Sequence, residues 1–267
     1  MTTHRIALLG GVYNNYLALE QALLDVRKRN CDEIYCLGDL GAFGPHPDRV
    51  FPLLQEFEIP CVQGNYDDSI GNSLNNCQCG YTDPRDNHFA QISYDYTLAN
   101  TSADNQAYLR ALPSEIRLER LGLKILLCHG SPRKTNEFLW ESTTSSQFLE
   151  YLAQGHSSAD IIVGTHTGLK WMRRLANDRW FCNCGVLGRP ENDGKTNVWY
   201  TILNLTPSSG HTRIEWEQVP VVYDHERLAR EMEAEGIPEE FVATIRTGWW
   251  TTCLEILPGK ERVCGRF

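Results

Sequence analysis

Two hydrophobic periods alternate along the first quarter of the chain. Short β-like apolar runs, "RIALLG" at 5–10, "EIYCLGD" at 33–39 and "PCVQGN" at 60–65, are separated by "YLALEQALLDVRKRN" at 16–30 and "PDRVFPLLQEF" at 47–57, whose apolar positions recur with helical spacing. This predicts βαβ units around a buried, largely parallel sheet. Residues 66–86, "YDDSIGNSLNNCQCGYTDPRD", break the rhythm with Gly, Asn, Asp and Pro and predict a long loop.

A helical stretch from about 87 to 112 follows, then "IRLERLGLKILLCHG", where Leu121-Gly122 turns one strand back on the next. A helix at 145–155, a strand at 159–168 and further strands near 171–175, 179–183, 197–204 and 212–219 make the second half richer in β-structure. From 223 the chain reads as two short helices split by Gly236-Ile237-Pro238. No repeat or linker-like composition divides it. The expected organisation is an α/β domain over 1–222 with a helical C-terminal extension, 223–267, packed on the same domain.

Composition narrows the classes. Of 267 residues, 42% are hydrophobic and 22% charged, values typical of a compact globular protein. The net charge of −9 argues against a nucleic-acid polymer as partner and leaves phosphate recognition to a few local groups. No apolar run approaches the ~18 residues of a membrane span, so a cytoplasmic location without membrane contact is expected. Several of the ten cysteines, among them Cys36, Cys61 and Cys128, sit in β-like apolar runs, which makes free thiols the expectation.

The polar groups gather at strand ends: Asp39 in "CLGDLGAFG", Asn65 and Asp67 in "VQGNYDD", His129 in "LLCHGSPR" and His166 in "VGTHTG". In open α/β sheets ligands bind beyond the carboxyl ends of the strands, so loops distant in sequence converge there. An Asp, an Asn carbonyl and two imidazoles suit a mixed oxygen and nitrogen shell for Mn, Fe or Zn. Each has a structural alternative: Asp39 bracing a turn, Asn65 supplying turn geometry, and each His satisfied by a local hydrogen bond.

Together, "GDLGAFGP", "GNYDD" and "CHGSPR" resemble the signatures of the calcineurin-like metallophosphoesterases over roughly residues 4–222. The chain looks most like the smaller bacterial phosphodiesterase-type members that carry Gly-Asn-Tyr-Asp and a following Cys-x-Cys-Gly, here Tyr66 and Cys77-Gln78-Cys79-Gly80. The resemblance implies a four-layer α/β/β/α sandwich of two mixed sheets. It also implies two metals at the crest, where the strands end, and hydrolysis of phosphate mono- or diesters.

The chain departs from that pattern at two of its signatures. Where the family has its first Asp and His, this sequence has Gly11 and Tyr13. In "THTGLK", one register keeps His166 as the first His of the last signature and puts Gly168 at the second; sliding by one puts Thr165 and Thr167 at the two positions. In either register the second His is missing. By resemblance, every private ligand of the first site is lost, while Asp39, Asn65, His129 and His166 keep the second. The expectation is a reduced hydrolase with one divalent ion, in which metal-bound water attacks the phosphorus of a small phosphorylated substrate.

The resemblance implies further roles. Catalysis is expected from Asp39, Asn65, Tyr66 and His129, Tyr66 standing where the family's usual His assists the leaving group or binds substrate and offering a phenol that donates a hydrogen bond but is a poor acid. Asp67 is expected to orient a neighbouring side chain rather than to bind metal. Asn65, Arg133 and Arg189 are candidate substrate contacts, the arginines through bidentate hydrogen bonds to phosphate. The rival expectation is a non-catalytic metal- or phosphate-binding or interaction protein that keeps the fold. Two Cys-x-Cys pairs, Cys77 with Cys79 and Cys182 with Cys184, are weaker candidates for zinc or redox chemistry, and Trp249-Trp250 for packing on the sandwich or shielding the site.

Overall fold

In a computed structural model that describes residues 2–262, the predicted alternation appears as two stacked sheets with helices outside them. The first half supplies β1 (His4–Leu9), α1 (Tyr16–Lys28), β2 (Glu33–Cys36), α2 (Val50–Glu56), α3 (Asn65–Gly71), α4 (Pro84–Asn100) and α5 (Ala103–Arg110). The hairpin β3 (Glu115–Arg120) and β4 (Leu123–Cys128) follows, then α6 (Ser146–Glu150), β5 (Ile161–Gly164), β6 (Lys170–Arg174) and β7 (Trp180–Cys184). The long hairpin β8 (Val198–Ser208) and β9 (His211–Val221) leads into α7 (His225–Ala234), α8 (Glu239–Thr247) and α9 (Gly259–Arg262).

One sheet runs β2-β1-β8-β9, the other β3-β4-β5-β7-β6, and both mix parallel and antiparallel pairs. Strand alternation explains the layers. On β1, Ala7 and Leu9 face a core shared with α1, α2 and α4, while Ile6 and Leu8 face the second sheet. There they meet Ile125 and Leu127 of β4 and Ile161 and Val163 of β5; Leu126, Ile162 and Phe181 point the other way, onto Leu149 of α6. The result is the four-layer α/β/β/α sandwich. Helices α7 and α8 place Leu228, Met232, Phe241 and Ile245 into the same core as α1, so the C-terminal helices pack on the first sheet.

Differences from the expected elements have local causes. The predicted strand 60–65 makes a single bridge, Cys36 to Cys61: Pro60 has no N–H to donate, and the Gln63 N–H turns to the Pro113 carbonyl. The predicted loop 66–86 begins instead as α3. Asp67 and Asp68 lie in its first turn, where acidic side chains favour helix, and the Asp67 carboxylate accepts the Gly64 N–H at 2.8 Å. The helix expected over 87–112 is two, broken at Thr101, which is extended. No described helix is long and apolar enough to cross a membrane.

Candidate metal centre

The predicted ligands converge on one edge of the sandwich, beyond the strand ends. Asp39 follows β2, His129 follows β4, His166 follows β5, and Asn65 opens α3. Asp39 (φ 53°) and His166 (φ 58°) adopt left-handed backbone, unusual for non-glycine residues and a form of strain that surrounding contacts must hold. Those contacts are present at Asp39. Its carbonyl accepts the N–H groups of Val12 (2.9 Å) and Tyr13 (3.1 Å). The buried Asp67 carboxylate takes the N–H groups of Asp39 (2.8 Å), Leu40 (2.9 Å) and Gly64 (2.8 Å). Asp67 thus ties together the loops that carry Asp39 and Asn65 through main-chain N–H groups, rather than through the neighbouring side chain expected as its partner.

Asp39, His129 and His166 offer ligand atoms that all lie within 4.8 Å of one another, and all three residues are buried. His129 Nδ1 sits 2.7 Å from the Leu37 carbonyl, which can only accept, so the proton is assigned to Nδ1. Its Nε2 then faces Asp39 Oδ2 and His166 Nδ1, each at 3.2 Å. A lone pair aimed at a carboxylate requires a cation or a second proton between them. Two further buried atoms have no hydrogen-bond partner: the Asn65 Oδ1 acceptor, and His166 Nε2, which carries the proton when Nδ1 presents its lone pair. A carboxylate and two imidazole lone pairs within reach of one another fit a divalent cation held by mixed oxygen and nitrogen ligands.

Electrostatics agree with that fit. Burial would raise the Asp39 carboxyl, but His129 and then His166 hold it below the usual carboxylate range. Burial would lower His129, but Asp39 and the Leu37 carbonyl hold it above the ordinary imidazole value. Burial, followed by the charge on His129, pushes His166 down to about 3, which keeps it neutral and able to ligate. Asp67 is pushed up to about 6 by burial and by the neighbouring Asp39 charge.

Other expected residues take different places. The Tyr66 phenol, expected near the leaving group, turns into α4 instead: it donates to Ser93 Oγ (3.2 Å) and the Ala90 carbonyl (3.3 Å), and burial raises its pKa far above normal. What Tyr66 gives the centre is its main-chain N–H, donated to Asp39 Oδ1 at 3.0 Å. Arg133 is exposed, paired with the Glu137 carboxylate, with its guanidinium 4.8 Å from the Phe148 ring. Arg189 is 5% exposed, and its Nε and Nη1 are buried without partners. Its flat faces are covered by Trp250 at 3.4 Å and Phe43 at 4.5 Å, which leaves the N–H edges free.

The positions that depart from the family pattern are filled. The Tyr13 ring lies where a side chain on Gly11 would go: a Cβ there would stand 2.5 Å from Tyr13 Cε1. A Cβ on Gly168 would meet the Trp250 ring at 3.0 Å and Arg189 Nη2 at 3.6 Å. The loop between β1 and α1 acts as a brace. Asn15 accepts from Ala18 N–H at 3.0 Å, capping α1, and donates to the Leu187 and Gly188 carbonyls at 3.3 Å.

Three further features complete the surroundings; the sequence points to the Trp249-Trp250 and Cys77/Cys79 pairs among them but not to Phe138. The Phe138 ring lies tilted against His166 with centroids 4.3 Å apart and stacks on Trp140 at 5.3 Å, roofing the centre. A strap after α8 crosses beside it: Trp250 Nε1 donates to the Pro190 carbonyl (2.7 Å), and Asp86 of α4 accepts the Ile256 N–H (2.9 Å). Of the tryptophan pair, Trp250 therefore covers Arg189. Third, Cys77 and Cys79 are joined as a disulfide, against the expectation of free thiols; their main chains are held close by a single intervening residue, with Cα atoms 5.2 Å apart. Cys182 and Cys184 are buried free thiols on β7, facing the core between the sheets.

A two-sheet α/β sandwich with an Asp-His-His cluster at its crest defines a metallophosphoesterase-type protein. Residues 3–206 match the family model of the calcineurin-like phosphoesterase superfamily domain, and the chain belongs to that superfamily. An uncharacterized protein of Methanocaldococcus jannaschii is 23% identical over 253 residues, covering 90% of this chain and 96% of that one. The fold is shared with a metallophosphoesterase from Sphaerobacter thermophilus: TM-score 0.69, 21% identity, 92% of this chain and 100% of that one. A hypothetical protein from Pyrococcus horikoshii is similar at TM-score 0.72 and 16% identity, over 92% of this chain and 99% of that one.

Proposed function

We propose that this protein is a metal-dependent hydrolase of phosphate mono- or diesters working from a single-cation centre held by Asp39, Asn65, His129 and His166. The observation that carries this reading is the His129 Nε2 lone pair, fixed by the Leu37 carbonyl and aimed at Asp39 Oδ2 and His166 Nδ1. Mn, Fe and Zn all suit this donor set. Such an ion, when bound, supplies Lewis acidity and lowers the pKa of a water.

The chain's own residues supply the rest. The Tyr66 N–H holds Asp39 Oδ1, so the carboxylate presents Oδ2 to the cluster. Arg189 receives phosphoryl oxygens on its free N–H edges, giving the buried guanidinium the anionic partner that it lacks. Tyr13 stays neutral, because burial and then Asp39 raise its pKa. It shapes the centre without adding charge.

The roof of Phe138 and Trp250 favours a second reading, a non-catalytic protein that binds a metal or a phosphorylated ligand behind that cover. One experiment separates the two: metal content of protein purified without chelator, with turnover of an aryl phosphodiester and an aryl phosphomonoester in added Mn²⁺. Turnover lost in His129→Ala supports the hydrolase. Bound metal with no turnover supports the binding protein, and wild-type protein that takes up no divalent ion overturns both.

A further inference from the structure

The Cys77–Cys79 disulfide is not used by the reading above, yet it touches the centre. Asn65 Nδ2 donates to the Cys77 carbonyl at 2.8 Å and lies 3.5 Å from Cys79 Sγ. Because Asn65 Oδ1 has no partner, the contacts that orient this amide come from the disulfide ring.

Stability gives little reason for the bond. In the chain-entropy account a disulfide stabilises more as it closes a longer loop, and this one spans a sequence separation of 2. Access gives a better one. A cavity of about 450 Å³ on the outer side is lined by both cysteines together with Asn76, Gln78, Asn87 and Gln91. Carboxamides on its walls suit a small polar molecule.

We propose that Cys77–Cys79 is a thiol-exchange site, taking a low-molecular-weight thiol in this cavity, and that its oxidation state sets the position of Asn65. The thiolate of one external thiol attacks a sulfur of the pair, forming a mixed disulfide and releasing the other cysteine as a thiolate, which takes up the proton. A second external thiolate attacks the mixed disulfide and frees the second cysteine, which is protonated in turn. Two electrons pass to the protein: two external thiols become one external disulfide, and Cys77 and Cys79 become thiols. Once reduced, the ring opens and the Asn65 amide loses its fixed partners. The cation is then held less tightly, by about tenfold, as for other outer contacts of metal ligands.

This inference rests on Asn65 being a ligand. The test equilibrates the whole protein in glutathione redox buffers with and without Mn²⁺, traps free thiols by alkylation and counts them by mass. We expect a two-thiol transition whose midpoint needs about tenfold more reducing buffer when Mn²⁺ is bound. Cys77→Ser with Cys79→Ser should bind Mn²⁺ about tenfold more weakly at every buffer ratio; if that variant does not fold, reduced and alkylated wild-type protein replaces it. A pair that never oxidises, or a midpoint indifferent to bound Mn²⁺, overturns the inference. If neither Mn²⁺ nor Zn²⁺ nor Fe²⁺ binds, the single-cation reading fails. The exchange is then judged by the Asn65 side-chain amide resonance, which shifts on reduction if the inference holds and stays put if it does not.

Discussion

On one side of Asp39 the crest keeps a carboxylate and two imidazoles within reach of one another, and the Asn65 loop adds a buried amide oxygen without a partner. On the other side, where the family pattern expects an Asp and two His, stand Gly11, Tyr13 and Gly168, and the room is taken by the Tyr13 ring, the Arg189 guanidinium and the Trp250 indole. The first half is acceptor-rich and calls for a cation from solution. The second carries its own fixed cation and calls for an anion. Losing the ligands of one half has left no hole: the space has been repacked around a positive charge, and a ligand restored at Gly11 or Gly168 would collide with what now occupies it.

The sharpest way to break this contrast is Asp39→Asn, which removes the charge that the cation and His129 share. Mn²⁺ content should vanish, and turnover of an aryl phosphoester should fall on the order of 10³-fold, if the ion provides several kcal/mol of charge stabilisation. A smaller but still large effect is expected on the other side. Trp250→Ala removes the cover over Arg189 and should lower unfolding stability by about 3 kcal/mol in denaturant titration, as for buried aromatic truncations, with the cation still bound.

Arg189→Met sharpens the contrast further. It should lower kcat/KM roughly 10–100-fold, through loss of charge-assisted hydrogen bonds, while Mn²⁺ content stays the same. The Tm should hold or rise, because an unpaired buried charge is gone. A fall in Mn²⁺ content instead would show that the halves are not independent.

The mildest test is pH. The His129 proton must leave before Nε2 can ligate, so Mn²⁺ affinity, measured by competition, should fall about tenfold per unit once pH drops below the raised His129 pKa. In metal-free protein the sign reverses. The stability that a raised His129 pKa contributes is complete below the unfolded value of 6.5 and is lost as pH rises through the folded one.

Much of the fold was legible because strands and helices differ in period, and β1, α1, β4, β8 and β9 appear close to where the pattern puts them. The candidate ligands Asp39, Asn65, His129 and His166 were legible because each ends or follows an apolar run. The short helix α3 was obscured by Gly and Asn around it, although Asp67 and Asp68 signal its first turn. The Phe138 roof, the Trp250 cover and the inward donation of the Tyr66 phenol depend on contacts between segments distant in sequence, such as Trp250 with Arg189 and Tyr66 with Ser93. Periodicity carries no information on such pairs. The disulfide contradicted an expectation drawn from composition alone, where Cys36, Cys61 and Cys128 are indeed free.

Asp67 accepts main-chain N–H groups from both sides of the centre, at Asp39 and Leu40 on one loop and at Gly64 on the other. Two segments that carry candidate ligands are thereby riveted to a single carboxylate outside the Asp-His-His cluster. One side chain sets the spacing of both, so a change at Asp67 would disturb Asp39 and Asn65 together.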